Sequence, residues 1–314
     1  CTFCAATQVF GRRWRARGLS ESFWQELDDI AVNHPKCELI SVIDDAFTQD
    51  LDHAKEFLRE YIRRGYPYKV SVFNVRADYI DDEFLLLLRE TGVEHLAVGI
   101  ESGDPEVFRM LRKGEKLEQI DTAIKMMQKV GIIPWLNMIV GLPGDTLEAH
   151  RRSVEWVLSH DKPRVVQWNI FTPFRGTPAY DFFVKRGDIE DGYIPEFQGR
   201  YQMLPEDGMF DAEDFTREEK TLAQMEGYLR CNTPILILSD KRVRELCKKH
   251  DMWDLYEDWR RNAPIAEFLE NTVPRKIAKG QEAMDIEEYN SILAEFKNDN
   301  EYPTDPFVYK GAVP

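Results

Sequence analysis

The sequence has no run of about eighteen apolar residues, the length a helix needs to cross a bilayer, so no transmembrane segment is expected. Basic charge is scarce: 41 Lys and Arg stand against 56 Asp and Glu, a net charge of −15. No Lys/Arg stripe of the kind a nucleic-acid surface needs is present, and nucleic acid is not expected as a partner. Cysteine is limited to Cys1, Cys4, Cys37, Cys231 and Cys247. An odd number without framework spacing argues against a disulfide scaffold and for a reducing, intracellular compartment, so a cytoplasmic location is expected. The six histidines form no His-x-x-Glu-His type pattern and none is taken as catalytic. Low-complexity tracts and strong short repeats are also missing.

What remains is a chain of 314 residues, 43% of them hydrophobic, enough for one large barrel or two ordinary domains with a real core. Short apolar runs alternate with amphipathic stretches. Residues 38–44 (ELISVID), 68–75 (YKVSVFNV), 95–101 (HLAVGIE), 135–141 (WLNMIVG) and 165–171 (VVQWNIF) read as buried strands. Their spacing leaves room for one crossover helix between each pair, which implies parallel strands and right-handed connections able to curl into a barrel. Helix starts are marked by Asp104 before Pro105, and by Asp145 and Glu148 at capping-box spacing. The regular pattern fades near Gly187. Beyond it the chain is acidic, aromatic and helical in character, with Met252–Trp259 an amphipathic segment.

The expected fold is therefore α/β. It is a partial parallel (β/α)6-type barrel over residues 1–187, lacking its first strand, followed by a mostly helical extension over 188–314. In such a barrel reactive groups collect at the C-terminal ends of the strands. Those ends are unusually polar here: Asp44 and Asp45, Asn74 and Arg76, Glu101–Ser102–Gly103, Gly141–Leu142–Pro143–Gly144, and Thr172–Pro173. Each acid taken alone reads as well as a helix cap or rim ion pair as it does as part of a site. Five polar ends beside a Cys-x-x-Cys at positions 1–4 favour a site. The opening CTFC also gives the expectation that the sequence starts inside an active-site loop of a longer protein.

These stretches resemble the radical S-adenosylmethionine (SAM) enzymes, and are most similar to the branch in which a cobalamin-binding domain precedes the barrel. The resemblance covers roughly residues 1–187 and rests on CTFC, DDAFTQD, VGIESGDPEVFRMLRKG, MIVGLPGDT and FTPFRGTPAYD in that order. It implies a [4Fe-4S] cluster, SAM and, through an upstream domain, cobalamin. Cys1 and Cys4 match the last two cysteines of the family's Cys-x3-Cys-x2-Cys, with Phe3 as the aromatic before the last. By the same resemblance Asp44 or Asp45 accepts from SAM's amino group, and Glu101 and Ser102 meet the ribose or methionyl part. Lys113 pairs with the SAM carboxylate, and Asn137, Ile139 and Gly141 line the adenine. Arg76 completes the set of cofactor-binding expectations. The family often has Gly where Asn137 stands.

The implied activity is reductive SAM cleavage to a 5′-deoxyadenosyl radical, with cobalamin-dependent methylation of an unactivated carbon as the leading outcome. Oxidative cyclisation or rearrangement, methylthio transfer, and a non-enzymatic iron–sulfur or zinc module are the rivals. An acidic C-terminal part weighs against the RNA-binding module of methylthiotransferases. A thioredoxin-like dithiol is weaker, because the segment after CTFC soon meets Gly11. Implied partners are a small-molecule, lipid or tetrapyrrole-like substrate and a reductant such as flavodoxin or ferredoxin. The arginines of residues 11–18 read as a solvated face or an anion or partner-domain contact. Cys37, Cys231 and Cys247 read as packed or exposed thiols. Trp253, Tyr256 and Trp259 serve either core packing or a cover over substrate.

Overall fold

A computed structural model describes residues 1–11, 18–44, 46–161, 164–194, 210–233 and 240–262. Asp45, the arginines of residues 12–17 and the last fifty residues of the extension lie outside them.

All five expected strands form: β1 (Leu39–Val42), β2 (Lys69–Val72), β3 (His95–Glu101), β4 (Ile133–Val140) and β5 (Val165–Ile170). Every pairing is parallel. β1 pairs with β2, and β3–β4–β5 form a second ladder. A parallel bridge between Val75 and Val98 joins the end of β2 to β3, so strand order follows chain order. A helix crosses over between each pair, as parallel neighbours require.

Helices α1 (Ala6–Phe10) and α2 (Glu21–Asn33) precede β1. α3 (Leu51–Arg64), α4 (Asp82–Glu90), α5 (Pro105–Leu111), α6 (Leu117–Lys129) and α7 (Leu147–Leu158) fill the crossovers. α8 (Pro178–Arg186), α9 (Arg217–Arg230), α10 (Asp240–Lys249) and α11 (Trp253–Asn262) follow β5. None is long and apolar enough to cross a membrane among the described residues.

The caps show how local sequence sets these bounds. Asp104 accepts from the N–H groups of Glu106 and Val107 at 3.0 and 2.9 Å, with Pro105 in the first turn of α5, as expected. The expected cap at Asp145 does not form. Thr146 caps α7, accepting from Ala149 N at 3.1 Å, while Glu148 stays on the surface near Arg152. Asp145 instead turns back to accept from Gly141 N at 2.8 Å, because the tight Gly-Leu-Pro-Gly turn brings that N–H within its reach.

The two faces of the sheet differ. Leu96, Val98 and Ile100 of β3, Leu136, Met138 and Val140 of β4, and Val166, Trp168 and Ile170 of β5 are buried under the helices. Alternate residues (Gly99 and Glu101, Asn137 and Ile139, Gln167 and Asn169) are only half-buried on the opposite, inner face. Parallel sheets ordinarily bury both faces in apolar side chains, so a polar inner face marks where ligand can lie.

Part of the region beyond Gly187 packs into the same core as the sheet. α9 lies on β5: Gln224 Nε2 donates to Trp168 O at 2.7 Å, and a Cβ on Gly227 would come within 2.6 Å of the Trp168 indole. Tyr256 and Trp259 are buried, and the Trp259 indole N–H donates to Thr233 O at 3.0 Å. Core packing therefore accounts for these two aromatics, and Trp253 packs partly against the same core.

Candidate active site

The Cys1–Cys4 loop is tied down from both sides. Thr2 N donates to Leu111 O, at the end of α5, at 2.9 Å; Thr2 O accepts from Ala179 N, at the start of α8, at 3.0 Å. Helices α5 and α8 follow β3 and β5, so this clasp holds the loop on the side of the sheet where those strands end. Both thiols are free, Cys1 exposed and Cys4 half-buried. Cys4 Sγ accepts from Ala6 N at 3.4 Å, and Phe3 packs partly against the core. α1 lasts five residues before Gly11, at φ +74°, ends it, which is too short for a dithiol-oxidoreductase helix. Cys231 and Cys247 are buried and Cys37 half-buried, as packed thiols.

β3 ends on strained backbone. Its register with β4 slips between Gly99 and Glu101, and Glu101 sits at φ +71°, a region non-glycine residues avoid. Such strain persists where surrounding structure over-determines it, commonly at ligand sites. Here the consequence is visible. The Glu101 carboxylate lies across Gly99, where a Cβ would collide with Glu101 Oε1 and come within 3.0 Å of Lys113 Nζ. Lys113 returns from α5, donates to Gly99 O, and stands 3.2 Å from Glu101 Oε1.

Behind this pair is Glu115, whose side chain is 0% exposed and lies 3.3 Å from Lys113 Nζ and 3.5 Å from Arg76 Nε. Arg76, following β2, makes a two-pronged contact with Asp78 at 3.0 and 2.8 Å and donates to Lys113 O at 3.2 Å. Burial pushes the Glu115 carboxyl above its usual range, while Lys113 and Arg76 hold it down. The structure thus brings together Glu101, Lys113 and Arg76 of the expected residues, and adds Gly99, Glu115 and Asp78.

The remaining expected residues are distributed around this cluster. Asn137 is paired in register with Gly99, and Ile139 lies two residues on along the same inner face. Gly141 has φ +89°; a Cβ there would fall 3.0 Å from Cε of Lys220, a buried residue of α9. Ser102 is bound elsewhere: its hydroxyl is 3.1 Å from that of Ser153 in α7 and accepts from Asp104 N at 3.2 Å. Asp44 is exposed. Its side chain accepts from Ala46 N at 3.0 Å and its carbonyl from Asn74 Nδ2 at 2.9 Å, which ties the loop after β1 to the loop after β2.

Gly99, Glu115, Asp78 and Lys220 were not singled out from sequence. A glycine inside a strand two residues before an acid signals close approach, and Gly99 was legible on that ground. Glu115 and Asp78 are charges within loops, and Lys220 is one charge on a charged helix; nothing local marks them.

The profile of the radical SAM superfamily matches residues 1–157 of the 314. The chain belongs to the radical SAM superfamily. Cytidylyl-2-hydroxyethylphosphonate methyltransferase of Streptomyces wedmorensis is 25% identical over 67% of this chain and 39% of its own length. Hopanoid C-3 methylase of Methylococcus capsulatus is 26% identical over 57% of this chain and 33% of its own. The anaerobic magnesium-protoporphyrin IX monomethyl ester cyclase of Rubrivivax gelatinosus is 27% identical over 60% and 33%. The radical SAM chain thus spans only a third to two-fifths of the length of these curated relatives. Among solved structures, the radical SAM methyltransferase TsrM from Kitasatospora setae, with cobalamin and a [4Fe-4S] cluster bound, superposes with TM-score 0.51. It covers 57% of this chain and 36% of its own at 24% identity, a likeness of fold.

The superfamily's cofactors are a [4Fe-4S] cluster and SAM, and the residues present fit both. Two free thiols at cluster spacing, one already accepting a backbone N–H, are suitable iron ligands. They are two of the three that an open-position cluster takes. No group of three or more His, Cys, Asp or Glu able to hold a metal occurs among the described residues. Glu101 and Lys113 offer an acceptor and a donor side by side, the complement of an amino-acid zwitterion. Ala97, Gly99 and Ile139 lie half-buried on the same inner face.

Proposed function

We propose that this chain is the catalytic barrel of a cobalamin-associated radical SAM methyltransferase acting on an unactivated carbon. The observation that carries the reading is the clasp through Thr2. It ties the cysteine loop to α5 and α8, and the Lys113 loop leaves α5 directly, so both cofactor-binding groups depend on the end of β3.

Bound there, the cluster supplies the electron that cleaves SAM's sulfonium bond. The chain's own residues bind and orient. Cys1 and Cys4 hold two irons, and a third cysteine upstream is expected from the family pattern. Lys113 donates to the SAM carboxylate, and Glu101 accepts from its ammonium or a ribose hydroxyl. Asn137 and Ile139 face the adenine, and Gly141 shapes the turn beyond it. The described structure gives Ser102 a bond to α7, so its part in binding is indirect. Arg76 acts through Lys113 and Glu115. Asp44, exposed beside Asp45, reaches the ligand only as part of the loop after β1.

Relatives named as methyltransferases in phosphonate and hopanoid chemistry support a carbon substrate without specifying it. The cyclase of Rubrivivax gelatinosus supports oxidative cyclisation as a second reading. An electron donor such as flavodoxin or ferredoxin, an upstream cobalamin domain and a reducing compartment complete the proposal.

The test is product balance in the anaerobically reconstituted protein carrying the upstream cysteine, with a chemical reductant. A methyltransferase consumes two SAM molecules: one leaves as 5′-deoxyadenosine and methionine, the other gives its methyl group and leaves as S-adenosylhomocysteine. Near-equal amounts of the two nucleosides, both dependent on added cobalamin, are expected. Deoxyadenosine without S-adenosylhomocysteine establishes the cyclase reading instead, and tight binding of a single zinc removes both.

A further inference from the structure

Glu115 is the least comfortable charge at the end of β3. It is 7% exposed as a residue and 0% at its side chain, and neither carboxylate oxygen has a hydrogen bond among the described residues. An ionised carboxylate buried in this way is costly unless it is paired. Among the described residues its compensation is two cations, Lys113 at 3.3 Å and Arg76 at 3.5 Å, which approach different oxygens. Both cations have other duties. Lys113 also meets Gly99 O and Glu101, and Arg76 also grips Asp78 and the Lys113 carbonyl.

Three elements therefore converge on one carboxylate: the loop after β2 through Arg76, the loop after α5 through Lys113, and Glu115 itself at the entry to α6. A capping role does not explain it. The cap of α6 is at Lys116, whose backbone N–H donates to the Gln119 side chain at 2.9 Å. Nor does solvation, since the side chain is sealed from water. We propose that Glu115 is a positioning residue, whose buried carboxylate fixes Lys113 in the direction of Glu101 and Gly99 so that its ammonium is presented to an anionic ligand group. The proposal rests on the assignment of Lys113 to the amino-acid end of SAM, and names the residue that aims it.

The consequence concerns the freedom of one amine. In the native protein Lys113 Nζ is held by two hydrogen-bond acceptors, Gly99 O and Glu101, and by the Glu115 charge 3.3 Å away, and its side chain is 8% exposed. Without the Glu115 charge that hold is lost, and the amine is freer to move. The neighbouring Lys116 is exposed and makes no contact with Glu115 among those described, so it reports general loosening of the segment.

The experiment is acetylation with acetic anhydride, resolved by peptide mass spectrometry, comparing Lys113 with Lys116 in the same protein. Glu115→Gln is expected to speed labelling of Lys113 about tenfold, the factor one charge-assisted contact carries, and to leave Lys116 unchanged. Glu115→Asp, which keeps the charge but withdraws it by one methylene, should give an intermediate rise; it decides the matter if Glu115→Gln fails to fold. Unchanged Lys113 labelling, or a parallel rise at both lysines, overturns the proposal and makes Glu115 structural. In reconstituted protein, Glu115→Gln should weaken SAM binding about tenfold and add nothing in a Lys113→Met background. If Lys113→Met itself leaves SAM affinity intact, the cofactor assignment of Lys113 fails and with it the ligand-presenting role, while the labelling still decides whether Glu115 holds the amine.

Discussion

The ends of β3 and β4 each bring an acid near a lysine, and the two arrangements differ in almost every physical respect. At β3, Glu101 and Lys113 are 3.2 Å apart, with side chains 12% and 8% exposed, on backbone at φ +71°. At β4, Asp145 is buried and accepts two backbone N–H groups, from Gly141 at 2.8 Å and Thr146 at 3.0 Å. Lys220 is buried too. It lies along Gly141, donates to Phe210 O at 2.8 Å and sits 4.0 Å from the Phe210 ring centre. The β4 groups spend their polarity on the protein's own backbone. The β3 groups spend theirs on one another, on a strained frame that leaves the inner face polar. The first arrangement joins the end of β4 to α9, and the second is the proposed seat for a ligand.

The largest expected effect separates the two by pH. Burial pushes the Asp145 carboxyl up to about 7, against the two N–H bonds that favour its ionised form, and pushes Lys220 down to about 8. A folded-state pKa raised above the unfolded value gives stability that is present below the unfolded value and lost as pH rises through the folded one. Asp145 therefore makes the protein less stable between about pH 4 and 7, by on the order of 4 kcal/mol. Lys220 has the opposite displacement. Its contribution is present above about pH 10.5 and is lost as pH falls toward 8, an effect on the order of 3 kcal/mol. In denaturant titrations Asp145→Asn should remove the fall in stability as pH rises from about 4 to 7, and Lys220→Met the rise in stability from about pH 8 to 10.5. A pH dependence that survives in both variants would erase the distinction.

Next in size is ligand affinity. Glu101→Ala and Lys113→Met should each weaken SAM binding to the reconstituted protein by about tenfold to a hundredfold, as charge-assisted hydrogen bonds do. Asp145→Asn should weaken it far less, because its bonds hold a turn rather than the ligand. Equilibrium dialysis with labelled SAM distinguishes these outcomes. Equal losses in all three variants would mean that the β4 end is as much a ligand seat as the β3 end.

Gly99→Ala tests the same seat by shape. The added methyl falls on the Glu101 carboxylate and 3.0 Å from Lys113 Nζ, so the pair must move apart, while the backbone conformation at Gly99 needs no glycine. A loss of SAM affinity similar to that of Glu101→Ala is expected, with an unfolding midpoint close to wild type. A large drop in midpoint with intact affinity would show the pair to be structural.

The difference between the two strand ends also sets what could be read in advance. Strands were legible because each is an apolar run of fixed length between turn residues, and all five appear within three residues of their expected bounds. Glu101 and Lys113 were singled out through family resemblance, and the structure sets their charged atoms 3.2 Å apart. Asp145 was misread as a cap because its spacing to Glu148 fits a capping box equally well. Only the fold of the Gly-Leu-Pro-Gly turn decides that Thr146 caps and Asp145 turns back. Glu115 and Lys220 were invisible for a related reason. A buried charge and a solvated one are written with the same letter, and only tertiary packing tells them apart.

The smallest expected effect isolates the strain at Glu101. Replacing Glu101 by Ala or by Gly removes the same carboxylate and the same contact with Lys113, so the two variants should bind SAM equally poorly. They differ in backbone. Alanine keeps the cost of φ +71° and glycine does not, while glycine gains entropy in the unfolded chain. If surrounding structure forces this conformation, the register slip between β3 and β4 persists in both variants. Relief of strain then outweighs chain entropy, and Glu101→Gly is the more stable by about 1 kcal/mol. If the pair with Lys113 is what pulls the backbone over, removing the carboxylate lets residue 101 relax, and Glu101→Ala becomes equal or better. Chemical denaturation of the two variants therefore tells which of two causes holds the other in place: the bulge that aims Glu101, or the lysine that receives it.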